Sequence, residues 1–468
     1  MKTQETTEQG FFASFKAAIR GDEKDFTQGT IKRALFMLAV PMILEMVMES
    51  LFAVVDVFYV SRIGVDAVAT VGITESVMMI IYAIAVGLSM AATAFVARRA
   101  GEKKFDEAAK NAVQAIYLAF FISIPLSIAG IFFAPQIMKL MGASDSVVSI
   151  GSNFMRIELG ANVIIMFLFL NNAIFRGAGD AAIAMRVLWL ANILNMVLGP
   201  FFIFGLGPFP ELGVTGAAVA TTLGRGIAVL YQFRMLTSSK SLIRILAENW
   251  GLNSGTILEM FKVAIGGMSQ FLLHSASWIV LMRILATFGS SAVAGYTIAI
   301  RIIVFTILPS WGLSNAAATL VGQNLGARQP DRAEKSVWTA AFYNMIFLTC
   351  VSIIFITFAY PILHLFTHDP DAVRNGVYCL RIICLGYIFF AYGMVISQSF
   401  NGAGDTKTPT LMNFICFWVV QLPLAWVLSR YFNLGTTGVY ISQSVAFSLM
   451  AFISIYLFRK GDWKQVKV

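Results

Sequence analysis

The chain repeats itself at one fixed offset of 225 residues, so any fold it adopts has to be built twice. Gly87-Leu88-Ser89 returns as Gly312-Leu313-Ser314, and Ala91, Ala92, Val96, Gly101, Asp106 and Ala108 recur at the same distance, nine identities in twenty-two positions. Shared apolar composition does not hold identities in one register. Phe175 and the run from Gly177 to Asp180 return as Phe400 and the run from Gly402 to Asp405, and Gly64, Val68 and Ala69 return as Gly289, Val293 and Ala294. One unit has been duplicated and fused.

Each copy is a membrane unit. Hydrophobic residues make up 58% of the 468 positions, charged residues 13%, and the mean hydropathy is +0.76. Apolar stretches able to cross about 30 Å of hydrocarbon lie at 35–61, 67–97, 112–133, 153–173, 184–206 and 213–235. The second copy gives 258–286, 292–321, 337–359, 377–398, 408–430 and 436–458. The expected fold is an all-α integral membrane protein of twelve transmembrane helices in two six-helix repeats. Six spans return the chain to its starting side, so both repeats have the same orientation, related by an axis along the membrane normal.

Twenty-five of the 34 lysines and arginines fall in the two tails and the five loops on one side, against five in the opposite loops. Basic loops stay in the cytoplasm, which predicts cytoplasmic termini and a bacterial inner membrane location. The net charge of +9 is then a topology signal, and no nucleic-acid site is read from it. The expected division is a tail at 1–33, a first lobe at 34–236, a polar linker at 237–256, a second lobe at 257–458 and a tail at 459–468. Residues 1–30 have no apolar core of a cleavable signal peptide. Within them, Phe11 to Arg20 reads either as a short amphipathic helix on the inner leaflet or as a disordered tail. The four cysteines lie in predicted spans without a Cys-x-x-Cys pair, and are read as apolar packers.

Charge inside the spans is concentrated on the first helix. Glu45, Glu49 and Asp56 fall within a 40° arc at helical spacing, so three carboxylates share one face. At roughly 2.5 to 3.5 kcal/mol per charge placed in lipid, that face has to meet water or protein. The equivalent face of the seventh helix carries Gln270, His274 and Leu281, with Trp278 beside them. The two lobes are thus chemically unequal, with cation coupling expected in the first. Glu45 can alternatively sit at the interface or within a polar network between helices, and His274 can be a satisfied interior histidine.

Glu75, Asn162, Asn192, Asn195, Arg225, Arg301 and Gln421 are further polar residues at depth, most of them accountable as interhelical hydrogen bonding. Under the offset Glu75 maps beside Arg301, which suggests a charge pair that gates the lobe interface. The 22 methionines and 40 phenylalanines suit either an adaptable cavity wall or plain lipid contact.

Duplicated halves that meet at the bilayer midplane are typical of secondary transporters. Pro41 followed fifteen residues later by Asp56 in Val-Val-Asp-Val-Phe, the two Gly-Ala-Gly-Asp motifs at 177–180 and 402–405, and Leu212-Gly213-Val214-Thr215-Gly216-Ala217-Ala218 are all present. With them the chain resembles the multidrug and toxic compound extrusion (MATE) family over about residues 30 to 458. The resemblance implies two six-helix lobes in a V around a central cleft. It also implies export of organic cations or amphipathic drugs against an inward flow of protons or sodium ions. Asp56 matches the family's first-helix aspartate, a centre of cation coupling. One branch adds a fifth-helix Asn-x-x-x-Asp pattern, which here is Asn195 with Gly199 in place of the acid. Another places a glutamate on the seventh helix eight residues after a proline, where this chain has His274 and Gly266. Glu49 is the candidate for the missing carboxylate.

The expected mechanism is mutually exclusive occupancy of the first lobe by proton and cationic substrate at Asp56, Glu49 and Asn195. Glu45, Glu75, Gln270, His274, Trp278 and Arg301 are the candidates for the substrate cleft. A proton is preferred to sodium as coupling ion, although sodium at Asp56 with Glu49 and Asn195 serves the same scheme; no other cofactor or metal is expected. A monomer in the bilayer, working on small organic cations or drugs, is anticipated. The alternative is a flippase for lipid-linked saccharides, which calls for a basic cleft. No His-Glu-x-x-His, Gly-x-Ser-x-Gly or Gly-x-x-x-x-Gly-Lys motif points to an enzyme or to ATP drive.

Overall fold

A computed structural model describes residues 10–23 and 25–466. The described residues are helical throughout. A surface helix α1 (Phe11–Arg20) precedes the first lobe, which contains α2 (Ile31–Ser61), α3 (Val65–Gly101), α4 (Phe105–Leu140), α5 (Asp145–Gly160), α6 (Asn162–Ala178), α7 (Ala181–Phe204) and α8 (Val214–Leu236). The second lobe contains α9 (Ser254–Ala286), α10 (Ser290–Gly326), α11 (Pro330–His364), α12 (Pro370–Leu385), α13 (Tyr387–Ala403), α14 (Lys407–Tyr431) and α15 (Thr436–Lys460). Ten helices are long and apolar enough to cross a membrane singly, and the bent pairs α5–α6 and α12–α13 complete twelve spans.

The sequence reading treats 153–173 and 377–398 as single spans; both are broken, by 41° and 59°. At the first break the side-chain amide of Asn162 donates to the Leu159 carbonyl at 2.6 Å and to Ser127 Oγ at 2.9 Å, taking over bonding that the backbone ladder gives up. At the second, Gly386 lets the helix run so close to α15 that a Cβ would meet Ser444 Oγ. The spans α6 and α13 then end on Gly179 and Gly404, whose φ values of 102° and 92° belong to the left-handed region. That geometry explains why Gly-Ala-Gly-Asp recurs in both copies. In α14 the winding widens to π geometry on both sides of Pro423, which has no N–H to keep the regular ladder.

The duplication is visible in the packing. A Cβ on Gly101 would collide with the Gln323 carbonyl, and one on Gly326 would collide with the Arg98 carbonyl. Gly101 and Gly326, like Arg98 and Gln323, are 225 apart, so α3 and α10 close on each other through reciprocal copies of one contact. Gly87 of α3 meets the Ala264 carbonyl of α9, and its counterpart Gly312 of α10 meets the Met42 carbonyl of α2, so each closes on the first spanning helix of the opposite lobe. The lobes are therefore sealed at the end of the bundle that carries both termini.

The two cores also exchange material. Leu35, Ala39 and Met42 of α2 pack in the core of the second lobe, and the counterparts of Leu35 and Ala39 on α9, Met260 and Ala264, pack in the core of the first. Beyond this exchanged end α2 returns to its own lobe, where Tyr59 Oη donates to the Met196 carbonyl and Trp189 Nε1 to the Leu44 carbonyl.

The polar linker lies flat on the first lobe. Asp180 accepts from Ser241 Oγ and from the Leu242 N–H, Asn249 donates to Asp106 at 2.7 Å, and Gln114 bonds the Gly251 carbonyl and the Asn253 N–H. Residues 25–30 form a strap across the sealed end. Phe26 is buried against Gly179, Asp25 pairs with Lys103 at 2.6 Å, and Arg332 of the second lobe donates to the carbonyls of Phe26, Gln28 and Gly29.

Candidate binding and coupling site

Above the seal, a central cavity of about 270 Å³ straddles the pseudo-twofold axis. Its first-lobe wall presents Glu45, Glu49, Tyr82, Asn172 and Arg176; its second-lobe wall presents Phe271, Trp311, Asn315, Gln398 and Asn401. Each lobe builds its wall with one residue pair at the same position. In the first lobe Arg176 Nη1 donates to Glu45 Oε1 at 2.8 Å. In the second, Gln270 and Asn401, each 225 further on, exchange hydrogen bonds at 2.9 and 3.1 Å. The charge of the first pair has become a pair of neutral amides in the second.

The charged pair is backed by a polar chain. Asn172 Nδ2 donates to Glu45 Oε1 at 3.2 Å, and Gln232 Nε2 donates to Asn172 Oδ1 at 2.8 Å. Asn171 Nδ2 completes the chain on Gln232 Oε1 at 3.2 Å. Glu45 is 2% exposed and its second oxygen Oε2 is buried without a partner; Ser89 Oγ and Thr319 Oγ1, also on the cavity wall, are unpartnered too. An acceptor and two hydroxyls left unsatisfied around one cavity suit a polar or cationic occupant.

The next turn repeats the contrast. Asn192 Nδ2 of α7 donates to Glu49 Oε2 at 3.0 Å. Their counterparts are His274 and Phe417, whose rings meet edge to face with centroids 4.9 Å apart. The acidic stripe thus faces a lobe in which the equivalent contacts are amide and aromatic.

No hydrogen bond joins Asp56, Glu49 and Asn195 to one another among the described residues. Asn195 Nδ2 donates to Thr221 Oγ1 at 2.6 Å, Glu49 is held by Asn192, and Asp56 has no hydrogen-bond partner among the described residues. What lies between them is Arg225 of α8. This buried guanidinium sits 5.7 Å from the Phe52 ring centroid and within electrostatic reach of Glu49, Asp56, Glu158 and the Tyr82 hydroxyl. Gly199, where one branch of the family carries an acid, points its missing Cβ at the Tyr59 ring.

Of the other cleft candidates, Glu45 lines the cavity, whereas Gln270 is buried behind Asn401 and Trp278 packs on the second-lobe core. Glu75 and Arg301 are exposed and form no ion pair among the described residues, although their charges attract across the interface. Sequence reasoning missed Arg176 and Glu158, because it counted the first among loop cations and passed over the second. Applying the 225 offset to Arg176 would have found it: its counterpart is Asn401, just as the counterpart of Glu45 is Gln270.

Comparison with known proteins agrees with this geometry. The MatE family model matches residues 41–201 and again 268–427, once in each lobe. A probable multidrug resistance protein NorM from Thermotoga maritima is 26% identical over 93% of this chain and 94% of its own length. An FAD transporter from Shewanella oneidensis is 25% identical over 93% of this chain and 96% of its own. Among solved structures, a multidrug resistance MATE family transporter of the MOP superfamily in an outward-facing conformation superimposes with a TM-score of 0.87. It shares 26% identity and covers 93% of this chain and 96% of its own.

Proposed function

We infer, from the premise that this chain belongs to the MatE family of membrane transporters, that it expels organic cations or amphipathic drugs by exchange for protons. The chain is a transporter and not an enzyme. The reading further places it as a monomer in a bacterial inner membrane, with both termini and the sealed end in the cytoplasm, in keeping with the basic residues gathered there.

The observation that carries the proposal is the unequal cavity. Glu49 supplies a carboxylate with no cationic partner in direct contact among the described residues on one wall, beside the Glu45–Arg176 pair, while Phe271, Trp311 and the amides of Asn315, Gln398 and Asn401 form the other. An organic cation finds a counter-charge on the first and an apolar, polarisable surface on the second. Arg225 refines the coupling scheme. As a resident cation among Glu49, Asp56 and Glu158, it offsets part of their charge, so that one added proton or one departing substrate changes the balance of the cluster. Sodium binding at Asp56 gains less support, since Glu49 Oε2 already accepts from Asn192 Nδ2 and the Asn195 amide is held by Thr221. The flippase reading gains no support, because the arginine on the cavity wall, Arg176, is already paired with Glu45.

Purified protein in vesicles, loaded under an imposed pH or sodium gradient, tests the proposal through uptake of a fluorescent organic cation. Uptake driven by protons, and abolished in Asp56→Asn and Glu49→Gln, is the expected result. Sodium-driven uptake would replace the ion, and no uptake under either gradient would sink the drug-export reading.

A further inference from the structure

We propose that a groove at the termini-bearing rim of the second lobe binds the phosphate headgroup of an anionic lipid. The groove, of about 640 Å³, lies between the start of α2 and the start of α11 and is walled by Thr30, Lys32, Arg332, Lys335, Trp338 and Thr339. It is separate from the central cavity and shares no residue with it.

Charge is the first argument. The basic groups around the groove are mostly committed: Arg332 donates to three strap carbonyls, Lys464 pairs with Glu334, and the Arg459 guanidinium lies 5.7 Å from the Trp338 ring centroid. The side chains of Lys32 and Lys335 are exposed and form no hydrogen bond or ion pair among the described residues. Two uncommitted ammonium groups, one on each wall, ask for an anion.

Donors are the second. Arg332 Nε is buried at the groove wall without a hydrogen-bond partner. Thr30 stands at the N-cap of α2 without capping it, so the first-turn N–H groups of α2 remain open toward the same space. A phosphate oxygen satisfies such donors, and the helix terminus favours its charge.

Position is the third, and it selects a lipid over a soluble anion. Lys335 and Thr339 lie on the same face of α11 as Phe342 and Ile346, each seven residues further on, which are 49% and 42% exposed. That face is the lipid-facing stripe of the span, and the groove sits where it ends. Trp338, at the same level, is the residue type that marks a membrane interface. Beside the groove α1 presents the exposed rings of Phe11 and Phe12, and Phe11 packs on Phe36 of α2 with centroids 5.9 Å apart. Headgroup in the groove and acyl chains along Phe342 and Ile346 is the arrangement this surface accepts, as basic pockets between spans do at the inner leaflet. The site does not depend on which cargo the central cavity takes.

The test is native mass spectrometry of the full chain in detergent, titrated with short-chain phosphatidylglycerol or phosphatidylcholine. One tightly retained phosphatidylglycerol is expected, weakened about fivefold for each lysine removed in Lys32→Gln and Lys335→Gln and kept in the Lys32→Arg/Lys335→Arg variant. Thermal melting without added lipid checks that the glutamine variants remain folded; if the double variant does not, the single Lys335→Gln carries the comparison. Equal retention of the two lipids, or unchanged phosphatidylglycerol binding in Lys335→Gln, would overturn the proposal. Displacement of the lipid by millimolar inorganic phosphate would reassign the groove to a free anion and overturn the lipid reading as well.

Discussion

Arg176 Nη1 lies 2.8 Å from Glu45 Oε1, and the residues 225 positions later, Asn401 and Gln270, are joined at the same place in the other lobe by neutral hydrogen bonds. The second lobe therefore shows what the first looks like with its charge removed.

Arg176→Gln leaves the Glu45 carboxylate buried with only Asn172 as donor. Loss of one member of a buried ion pair costs about 3 to 5 kcal/mol, so unfolding in detergent should occur at a clearly lower temperature or denaturant concentration. The double variant Glu45→Gln/Arg176→Asn reproduces the second-lobe pair and should recover most of that loss. A double variant no more stable than Arg176→Gln would contradict the equivalence of the two pairs.

The reciprocal glycines make the seal sensitive to a single methyl group. Gly101→Ala and Gly326→Ala each place a Cβ against a backbone carbonyl of the opposite lobe, which cannot move aside as a side chain would. Each variant should hold the termini-bearing end apart and lower transport about tenfold or more. Labelling of a cysteine placed at Ala97, buried in the present state, should rise several-fold. Unchanged labelling would mean that the helices accommodate the methyl without opening.

Glu49 is bonded by an amide where its counterpart, His274, meets an aromatic ring. Glu49→Gln keeps the shape and can still bond Asn192, so stability should stay within about 1 kcal/mol. Gradient-driven uptake should fall by an order of magnitude or more. Asn192→Ala, which removes the donor but keeps the acid, should have the smaller effect; the reverse ranking would move the coupling role to α7.

The strap supplies a pH control. Burial pushes the Asp25 carboxyl up, but the Lys103 ammonium and the Thr27 hydroxyl and N–H together hold it below the usual carboxylate range. A lowered folded-state value means that the stabilisation is present above the unfolded value of about 3.9 and is lost as the pH falls through the folded one. Proteolysis within residues 25–30 should therefore be flat between about pH 5 and 8 and rise only below about pH 4. Any change in transport within the neutral window then belongs to the intramembrane acids and not to the strap.

The architecture was largely legible because the 225 offset and the hydropathy pattern are independent signals that agree, one counting copies and the other spans. Bends within spans were not: α5–α6 and α12–α13 break through a side-chain amide at Asn162 and a close approach at Gly386, neither of which alters hydropathy. At the site, the stripe of Glu45, Glu49 and Asp56 could be placed on one face from spacing alone. Its partners could not, because Arg176, Asn192 and Arg225 reach it from three other helices. Nor did helical phase reveal that α2 belongs to two cores.

That double membership has a mechanical consequence. From Leu35 to Met42 α2 is embedded in the second lobe, and from Leu44 onward it is fastened to the first, through Trp189, Arg176 and Asn192. If one lobe turns against the other, the strain must fall on the short junction between these anchorages, just after Pro41, which has no N–H for the helical ladder. Glu45 follows directly on that junction and Glu49 lies one turn further. The carboxylates at the cavity wall are thus seated on the axle about which the two halves of the molecule would swing, and whatever neutralises them acts on the pivot itself.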